Sequence, residues 1–140
     1  EEALKDETAS KGYVGCLGYC MSGPFVFSAA ARINNRIRSA ASIHGVDLFT
    51  ESDKSPHLLS HEIKGEIYFG CAEYDEWVPD EMIESLEKYL INTDINYRIE
   101  WYPGTKHGFV FPERTGKYDV ASSERHWYRI LSLFERNLKV

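Results

Sequence analysis

A short apolar segment, followed within a few residues by a helical one, constrains the fold of this chain more than any other feature. Residues Tyr13–Leu17 are almost all apolar and lie between glycines. Such a run is typical of a strand that is covered on both faces, as in a parallel sheet. From Pro24 the sequence is rich in alanine and predicts a helix, since a proline in the first helical turn loses no hydrogen bond. The segment therefore predicts a buried strand that leads directly into a helix.

Three later segments predict further strands. Residues Arg38–His44 are strand-like, and Ile67–Gly70 form a second run typical of an interior strand. Tyr97, Ile99 and Trp101 alternate with charged residues. Because successive side chains of a strand point to opposite faces, this period of two predicts a strand with one solvated face near an edge of the sheet.

Two later helices are predicted from apolar positions that recur with a helical period. One opens at Pro79, and its apolar positions are Met82, Ile83, Leu86, Tyr89 and Leu90. The other closes the chain, with Asp119 as its N-cap and with apolar positions at Trp127, Ile130, Leu131, Phe134 and Leu138. The order of elements predicts one α/β domain over residues 1–140, with a parallel sheet of about four strands flanked by three to four helices.

Charge and composition exclude several classes of function. The 140-residue chain carries 16 Lys and Arg against 22 Asp and Glu, a net charge of −6, so no nucleic-acid partner and no anionic membrane surface is expected. No apolar run reaches the roughly 18–20 residues of a membrane-spanning helix. The acidic residues 1–7 differ from a secretory signal.

The three cysteines predict free thiols. Cys16 and Cys20 lie about 13 Å apart if the segment between them is a strand that rises about 3.3 Å per residue, which is too far for a disulfide. With Cys71 the number of cysteines is odd. Free thiols in an acidic chain are typical of the cytoplasm, and we expect that location. The spacing C-x-x-C does not occur, which disfavours a redox or metal-binding role.

The candidate chemistry begins at residues Gly18–Gly23, between the first predicted strand and the first helix. A tight strand-to-helix turn flanked by small residues holds a nucleophile above the sheet, and here that residue is Cys20. The helix start favours a thiolate, and the backbone N–H of Met21 is expected to donate to an oxyanion. An inert cysteine at a glycine-rich turn is the alternative interpretation of this motif alone.

Two further side chains with catalytic potential follow later strands. Asp75 comes soon after Ile67–Gly70, and His107 follows the strand that ends near Tyr102. Because the carboxyl ends of parallel strands meet at one edge of the sheet, we expect the nucleophile, the acid and the base to lie together there. Their order along the chain is that of the α/β-hydrolases.

Three motifs together resemble the dienelactone hydrolase family of α/β-hydrolases, in which cysteine replaces the usual serine nucleophile. They are residues 18–23 (GYCMSG), 75–79 (DEWVP) and 102–109 (YPGTKHGF). The resemblance implies a triad of Cys20, Asp75 and His107, a small-molecule ester or lactone as substrate, and no cofactor. It also suggests that Arg114 contacts a substrate carboxylate, because an arginine fork matches a carboxylate.

The chain departs from the family pattern in two ways. The family has glycine where this chain has Ser22, and its domains carry several strands before the nucleophile, whereas Cys20 lies near the start of this chain. The sequence therefore resembles the C-terminal half of the family's domain, without the loop that supplies a second oxyanion donor. Residues Tyr13–Leu17 then form an uncovered sheet edge. We expect either a second copy, as a homodimer, or the other half of the domain in trans to cover it.

Other histidines have simpler explanations, and the hydrolase interpretation has an alternative. His57 and His61 are spaced like metal ligands on a helix, but the segment is loop-like and lacks a suitably spaced third ligand, so no metal site is expected. His44 closes a strand and is interpreted as structural. His126, in the last helix, is expected to be exposed or packed against a neighbour. The alternative to a hydrolase is a catalytically silent fragment that folds as a dimer or interaction module.

Overall fold

The computed structural model describes residues 5–7 and 12–138. Four strands form one sheet in the order β1-β2-β3-β4, and each neighbouring pair is parallel. The strands are β1 (Val14–Tyr19), β2 (Ile37–Ile43), β3 (Glu66–Tyr74) and β4 (Asn96–Lys106). The α-helices are α1 (Gly23–Arg32), α2 (Asp80–Leu90) and α3 (Val120–Leu138), with 3₁₀ turns at Cys20–Ser22 and Pro56–Glu62. The predicted fold class is confirmed.

Helices cover both faces of the sheet. Helices α1 and α2 share one face, where Phe27 of α1 packs edge-on against Phe69 of β3 and Leu86 of α2 is fully buried. Helix α3 covers the other face with Ile130 and Leu133. Because both faces are covered, the inner strands β2 and β3 are buried along most of their length, as the apolar run Ile67–Gly70 predicts for β3.

The helix starts agree with the signals in the sequence. Helix α1 carries Pro24 in its first turn, and α2 begins at Asp80, directly after Pro79. At the start of α3, Asp119 Oδ1 accepts a hydrogen bond of 2.8 Å from the backbone N–H of Ser122. The predicted N-cap is therefore confirmed.

The prediction of a solvated face on β4 is wrong at Glu100. This residue is 6% exposed. It accepts hydrogen bonds from the hydroxyl of Tyr68 at 2.8 Å and from Nε of Arg129 at 2.9 Å, and Arg125 binds it as well. Because α3 packs on that face, its arginines reach the carboxylate, which is paired instead of solvated.

The buried face of α3 differs from the predicted stripe. Trp127 and Leu131 are 43% and 62% exposed, whereas His126, Ile130 and Leu133 are buried. The helix carries apolar residues on two adjacent stripes, and contact with the sheet selects one of them. His126 is thus packed, which is one of its two expected positions.

Strand β1 is an outer strand of the sheet, as expected. Tyr13, just before it, and Val14, its first residue, are 47% and 37% exposed. Along its outer side, β1 pairs with no other strand of the described residues. In the same part of the chain, no helix is both long enough and apolar enough to cross a membrane.

Candidate active site

The turn after β1 holds Cys20 in a strained backbone conformation. Cys20 has a φ of 52°, in the left-handed region that residues other than glycine rarely adopt. It also opens the 3₁₀ turn that leads into α1. Strain at a strand-to-helix junction is typical of a nucleophile that is held above a sheet.

Close backbone approaches explain the glycines on either side of Cys20. A Cβ atom on Gly18 would lie 2.6 Å from the carbonyl oxygen of Ser22, and one on Gly23 would lie 2.6 Å from Cα of Gly45. Ser22 itself stabilises the turn, because its Oγ accepts from the N–H of Tyr19 and donates to the carbonyl of Tyr19, both at 2.7 Å. Serine is therefore compatible with the turn at this position.

Asp75 and His107 form a buried hydrogen-bonded pair. His107 Nδ1 lies 2.9 and 2.8 Å from the two carboxylate oxygens of Asp75, and the side chains are 4% and 1% exposed, respectively. Oδ1 also accepts from the backbone N–H groups of Trp77 (2.9 Å) and Val78 (3.2 Å), which fix the carboxylate. A carboxylate accepts from an Nδ1–H, so the tautomer assigned by this bond leaves Nε2 of His107 free to accept a proton.

The ends of all four strands bring these groups to one edge of the sheet. Cys20 follows β1, His44 follows β2, Asp75 follows β3 and His107 follows β4. The carbonyl of Cys20 accepts a hydrogen bond of 3.3 Å from Val46, and the rings of His44 and His107 are 4.5 Å apart between centroids. In the described structure no hydrogen bond joins the Cys20 thiol to His107; the two residues are connected through the segment 44–46.

Burial separates the other two cysteines from Cys20. Burial raises the pKa of Cys16 to about 11. For Cys71 burial, and next the charge of Asp75, raise the pKa to about 12. Both thiols are therefore protonated at neutral pH and poor nucleophiles. Cys20 instead lies in the turn that leads into α1.

His44 was interpreted as structural from the sequence, yet it lies within the site. It has a φ of 39°, is 1% exposed and packs against His107. Burial, and next the nearby His107, lower its pKa to about 3, so the ring is neutral. The sequence contains a signal for this placement, since His44 closes a predicted strand, and Cys20 and Asp75 each come soon after one.

Met21 and Arg114 lie beside the candidate triad. Met21 follows Cys20 in the 3₁₀ turn, and its side chain is 70% exposed. The side chain of Arg114 lies over Gly108, because its Cδ is 3.3 Å from the place that a Cβ atom on Gly108 would take. It therefore passes next to His107, the residue before Gly108. Its guanidinium is exposed.

The remaining histidines take part in packing and local hydrogen bonds. His57 stacks on Phe49 with ring centroids 3.9 Å apart, and its Nδ1 lies 2.6 Å from Oγ of Ser55. His61 is exposed on the same 3₁₀ segment. Within residues 5–7 and 12–138 no group of three or more His, Cys, Asp or Glu side chains is arranged to hold a metal ion.

An aromatic cleft of about 450 Å³ lies beside the turn. Its walls include Tyr19, Phe111, Tyr118 and Trp127. Tyr19 is held there by its hydroxyl, which donates to Nε2 of His126 at 3.2 Å. The cleft places an apolar surface beside the turn, and such a surface suits the hydrocarbon part of a small organic molecule.

Comparison with known sequences identifies relatives over most of the chain. The family described as "Dienelactone hydrolase family" matches residues 2–138. The carboxymethylenebutenolidase of Rhodococcus opacus is 26% identical over 129 residues, which cover 90% of this chain and 51% of that protein. Protein usf of Aquifex pyrophilus is 24% identical, with 89% and 52% covered. The chain thus spans about half the length of the curated relatives that it matches.

Solved structures show the same fold. A dienelactone hydrolase-like promiscuous phosphotriesterase from metagenomic libraries superposes with a TM-score of 0.82 at 17% identity, covering 99% of this chain and 58% of the other. The acylaminoacyl peptidase of Pyrococcus horikoshii has a TM-score of 0.76 at 14% identity, with 99% and 26% covered. At these identities the likeness supports the fold and not a shared substrate.

Proposed function

The chain belongs to the dienelactone hydrolase family, and from this membership we propose that it is a hydrolase that opens a lactone or cleaves an ester through Cys20, His107 and Asp75. The observation that carries the proposal is the buried His107–Asp75 pair at the sheet edge where the turn holding Cys20 also ends. The pair gives His107 the orientation that a general base requires. No cofactor takes part in this chemistry.

The proposed reaction proceeds in two stages. Nε2 of His107 takes the proton of the Cys20 thiol, and the sulfur bonds the carbonyl carbon of the substrate. The tetrahedral intermediate collapses with cleavage of the C–O bond, and the alcohol oxygen takes the proton from His107. A thioester on Cys20 remains. Water then attacks the thioester with His107 as base, the C–S bond breaks, and the acid leaves.

The oxyanion of each stage needs backbone donors. We propose the N–H of Met21 as one donor, because it directly follows the nucleophile in the turn. The family resemblance implies a second donor, which belongs to a loop that comes before the strand leading to the nucleophile. Loss of one such donor lowers kcat by about 10²–10³.

Arg114 is proposed as the contact for an acidic group of the substrate. Its side chain passes over Gly108, directly after the base, and is exposed. A guanidinium binds a carboxylate through two parallel hydrogen bonds. A lactone or ester that carries a carboxylate near its carbonyl group is therefore the expected substrate.

A second copy of the chain is proposed to cover β1. The segment Tyr13–Leu17 has no charged side chain and lies at the outer edge of the sheet. An uncharged outer strand is prone to pair with another chain, and a twofold axis perpendicular to β1 pairs two copies through identical surfaces. The cytoplasmic location stays a prediction from the free thiols and the acidic composition.

The second candidate function is that of a catalytically silent module. The observation that favours it is that no hydrogen bond joins Cys20 to His107 in the described structure, although both lie at the same edge. A silent module would keep the sheet and the His107–Asp75 pair but would form no covalent intermediate.

Acylation by p-nitrophenyl acetate separates the two candidate functions. The full chain is mixed with the ester, quenched in acid and digested, and the acetylated cysteine is identified by peptide mass spectrometry. The hydrolase proposal expects an acetyl group on Cys20 and p-nitrophenol release that is lost in Cys20→Ala. The matched control is Cys16→Ala, which removes a half-buried thiol of β1 and should keep both signals. No acetylation of Cys20 in the wild-type chain would support the silent module.

A further inference from the structure

Beside His107 lies a second imidazole whose nitrogens the fold leaves without partners. His44 is 1% exposed, and neither ring nitrogen has a hydrogen-bond partner among the described residues. Buried polar groups in native proteins are almost always hydrogen-bonded, because an unpaired one carries a desolvation penalty. A phenylalanine would fill this place without the penalty. The imidazole therefore points to a hydrogen-bonding group that reaches it during function.

The position of His44 is fixed beside the candidate base, at the strand end next to that of the nucleophile. Strand β2 lies between β1 and β3, and the N–H of His44, just after β2, donates to the carbonyl of Gly70 at 2.7 Å. On one side its ring centroid is 4.5 Å from that of His107, and on another it is 5.9 Å from that of Tyr19. Phe109 and Phe111 complete the surrounding rings.

The chemistry of His44 matches water better than a larger group. A neutral imidazole offers one donor and one acceptor. The charged and titratable groups around it are His107, Asp75 and Arg114, with the hydroxyl-bearing Tyr19 ring on the other side. Because the ring is 1% exposed, it is closed to the body of a substrate, and a water molecule is the smallest group that can pair with its nitrogens. A buried water commonly bonds otherwise unpaired polar groups of this kind.

We propose that His44 holds the water that hydrolyses the thioester on Cys20. The inference rests on the proposed function and assigns a residue to its second stage. The water donates one O–H to the acceptor nitrogen of His44 and gives its other proton to Nε2 of His107. Its oxygen meanwhile bonds the thioester carbonyl carbon. The C–S bond then breaks, and sulfur leaves as a thiolate beside the His107 imidazolium, while His44 neither gains nor loses a proton.

The test separates acylation from deacylation in His44→Phe. This variant keeps an aromatic ring against Tyr19 and His107 but removes both nitrogens. With p-nitrophenyl acetate we expect the first-turnover release of p-nitrophenol to keep its rate. The later steady-state rate should fall about tenfold or more, and acetylated Cys20 should accumulate. His44→Asn restores one donor and one acceptor and tolerates the left-handed backbone, so its steady-state rate should exceed that of His44→Phe.

Controls make each outcome decisive. His57→Phe replaces another buried histidine that packs on Phe49 away from the site, and it should leave both phases unchanged. Equal loss of both phases in His44→Phe would indicate a structural role and overturn the proposal, as would unchanged phases. A wild-type chain that forms no acetyl-Cys20 would overturn the proposed function itself, and with it the role of His44. If the wild-type chain forms acetyl-Cys20 and His44→Phe keeps both the first-turnover and the steady-state rate, only the role of His44 would be overturned.

Discussion

Asp75 and His107 lie 32 residues apart in the chain, yet both carboxylate oxygens of Asp75 are within 2.9 Å of Nδ1 of His107. Strands β3 and β4 are parallel neighbours, so their carboxyl ends place the two loops side by side. Backbone N–H groups of residues 77 and 78 hold the carboxylate in position. The acid therefore orients the imidazole through contacts that are independent of a substrate.

The first prediction concerns the acid. Asp75→Asn keeps the size of the side chain but can present an N–H to His107, which favours the wrong tautomer of the imidazole. We expect steady-state hydrolysis of p-nitrophenyl acetate to fall about 10²–10⁴-fold. Glu76→Gln is the matched control, because it neutralises the adjacent carboxylate, whose bond to Lys117 lies on the surface. Equal activity in Asp75→Asn and wild type would contradict the assignment of Asp75.

The second prediction concerns selective alkylation of the thiols. Iodoacetamide at about pH 7 should label Cys20 before Cys16 and Cys71, because burial raises the pKa of the latter two to about 11 and about 12 and only thiolates react. Peptide mass spectrometry over time gives the three rates, and His107→Gln tests whether the base accelerates labelling of Cys20. Three equal rates, or labelling only after unfolding, would show that the site is not assembled.

The third prediction concerns the stability contributed by Glu100. Burial alone raises the pKa of Glu100, but hydrogen bonds from Arg129, Tyr68 and Arg125 outweigh it and lower the pKa to about 2 from the ordinary 4.5. A carboxyl whose pKa is lower in the folded state stabilises the fold above its unfolded pKa, and this stabilisation is lost as the pH falls. The free energy of unfolding of the wild type should therefore decrease from about pH 5 toward about pH 2.

The variant Glu100→Gln isolates this effect. In urea unfolding experiments at pH 7 we expect its free energy of unfolding to be about 1–3 kcal/mol lower than that of wild type. This gap between the two free energies should narrow as the pH falls toward 3. Glu84→Gln, which removes an exposed carboxylate paired with Lys88, is the control and should show a small, flat difference. A gap that widens at low pH would contradict the role assigned to Glu100.

The fourth prediction concerns the outer strand. If two copies pair through β1, sedimentation equilibrium of the wild-type chain gives the mass of a dimer. Val14→Lys places a charge on the 37%-exposed first residue of the strand and should shift the chain to monomer, because an edge lysine opposes strand pairing. Lys64→Ala, on the exposed loop before β3, should leave the dimer intact. A wild-type monomer with β1 uncovered would refute the homodimer.

The sequence determined the order of the elements and the positions of the candidate triad. Apolar runs and the helical period are local properties, so β1, β3 and α2 followed from residues that are neighbours in the chain. The carboxyl-end rule for parallel strands then placed Cys20, Asp75 and His107 at one edge without any knowledge of side-chain contacts.

The tertiary structure alone decided which residues share a face or a ring contact. Glu100 was expected in solvent, but α3 lies over it and supplies its arginines. His44 has no sequence neighbour that indicates its contact with His107, because that contact joins the ends of β2 and β4. Local periodicity fixes the type of an element. The rotation of a helix on the sheet, and the loops that meet beyond it, depend on packing between residues far apart in the chain.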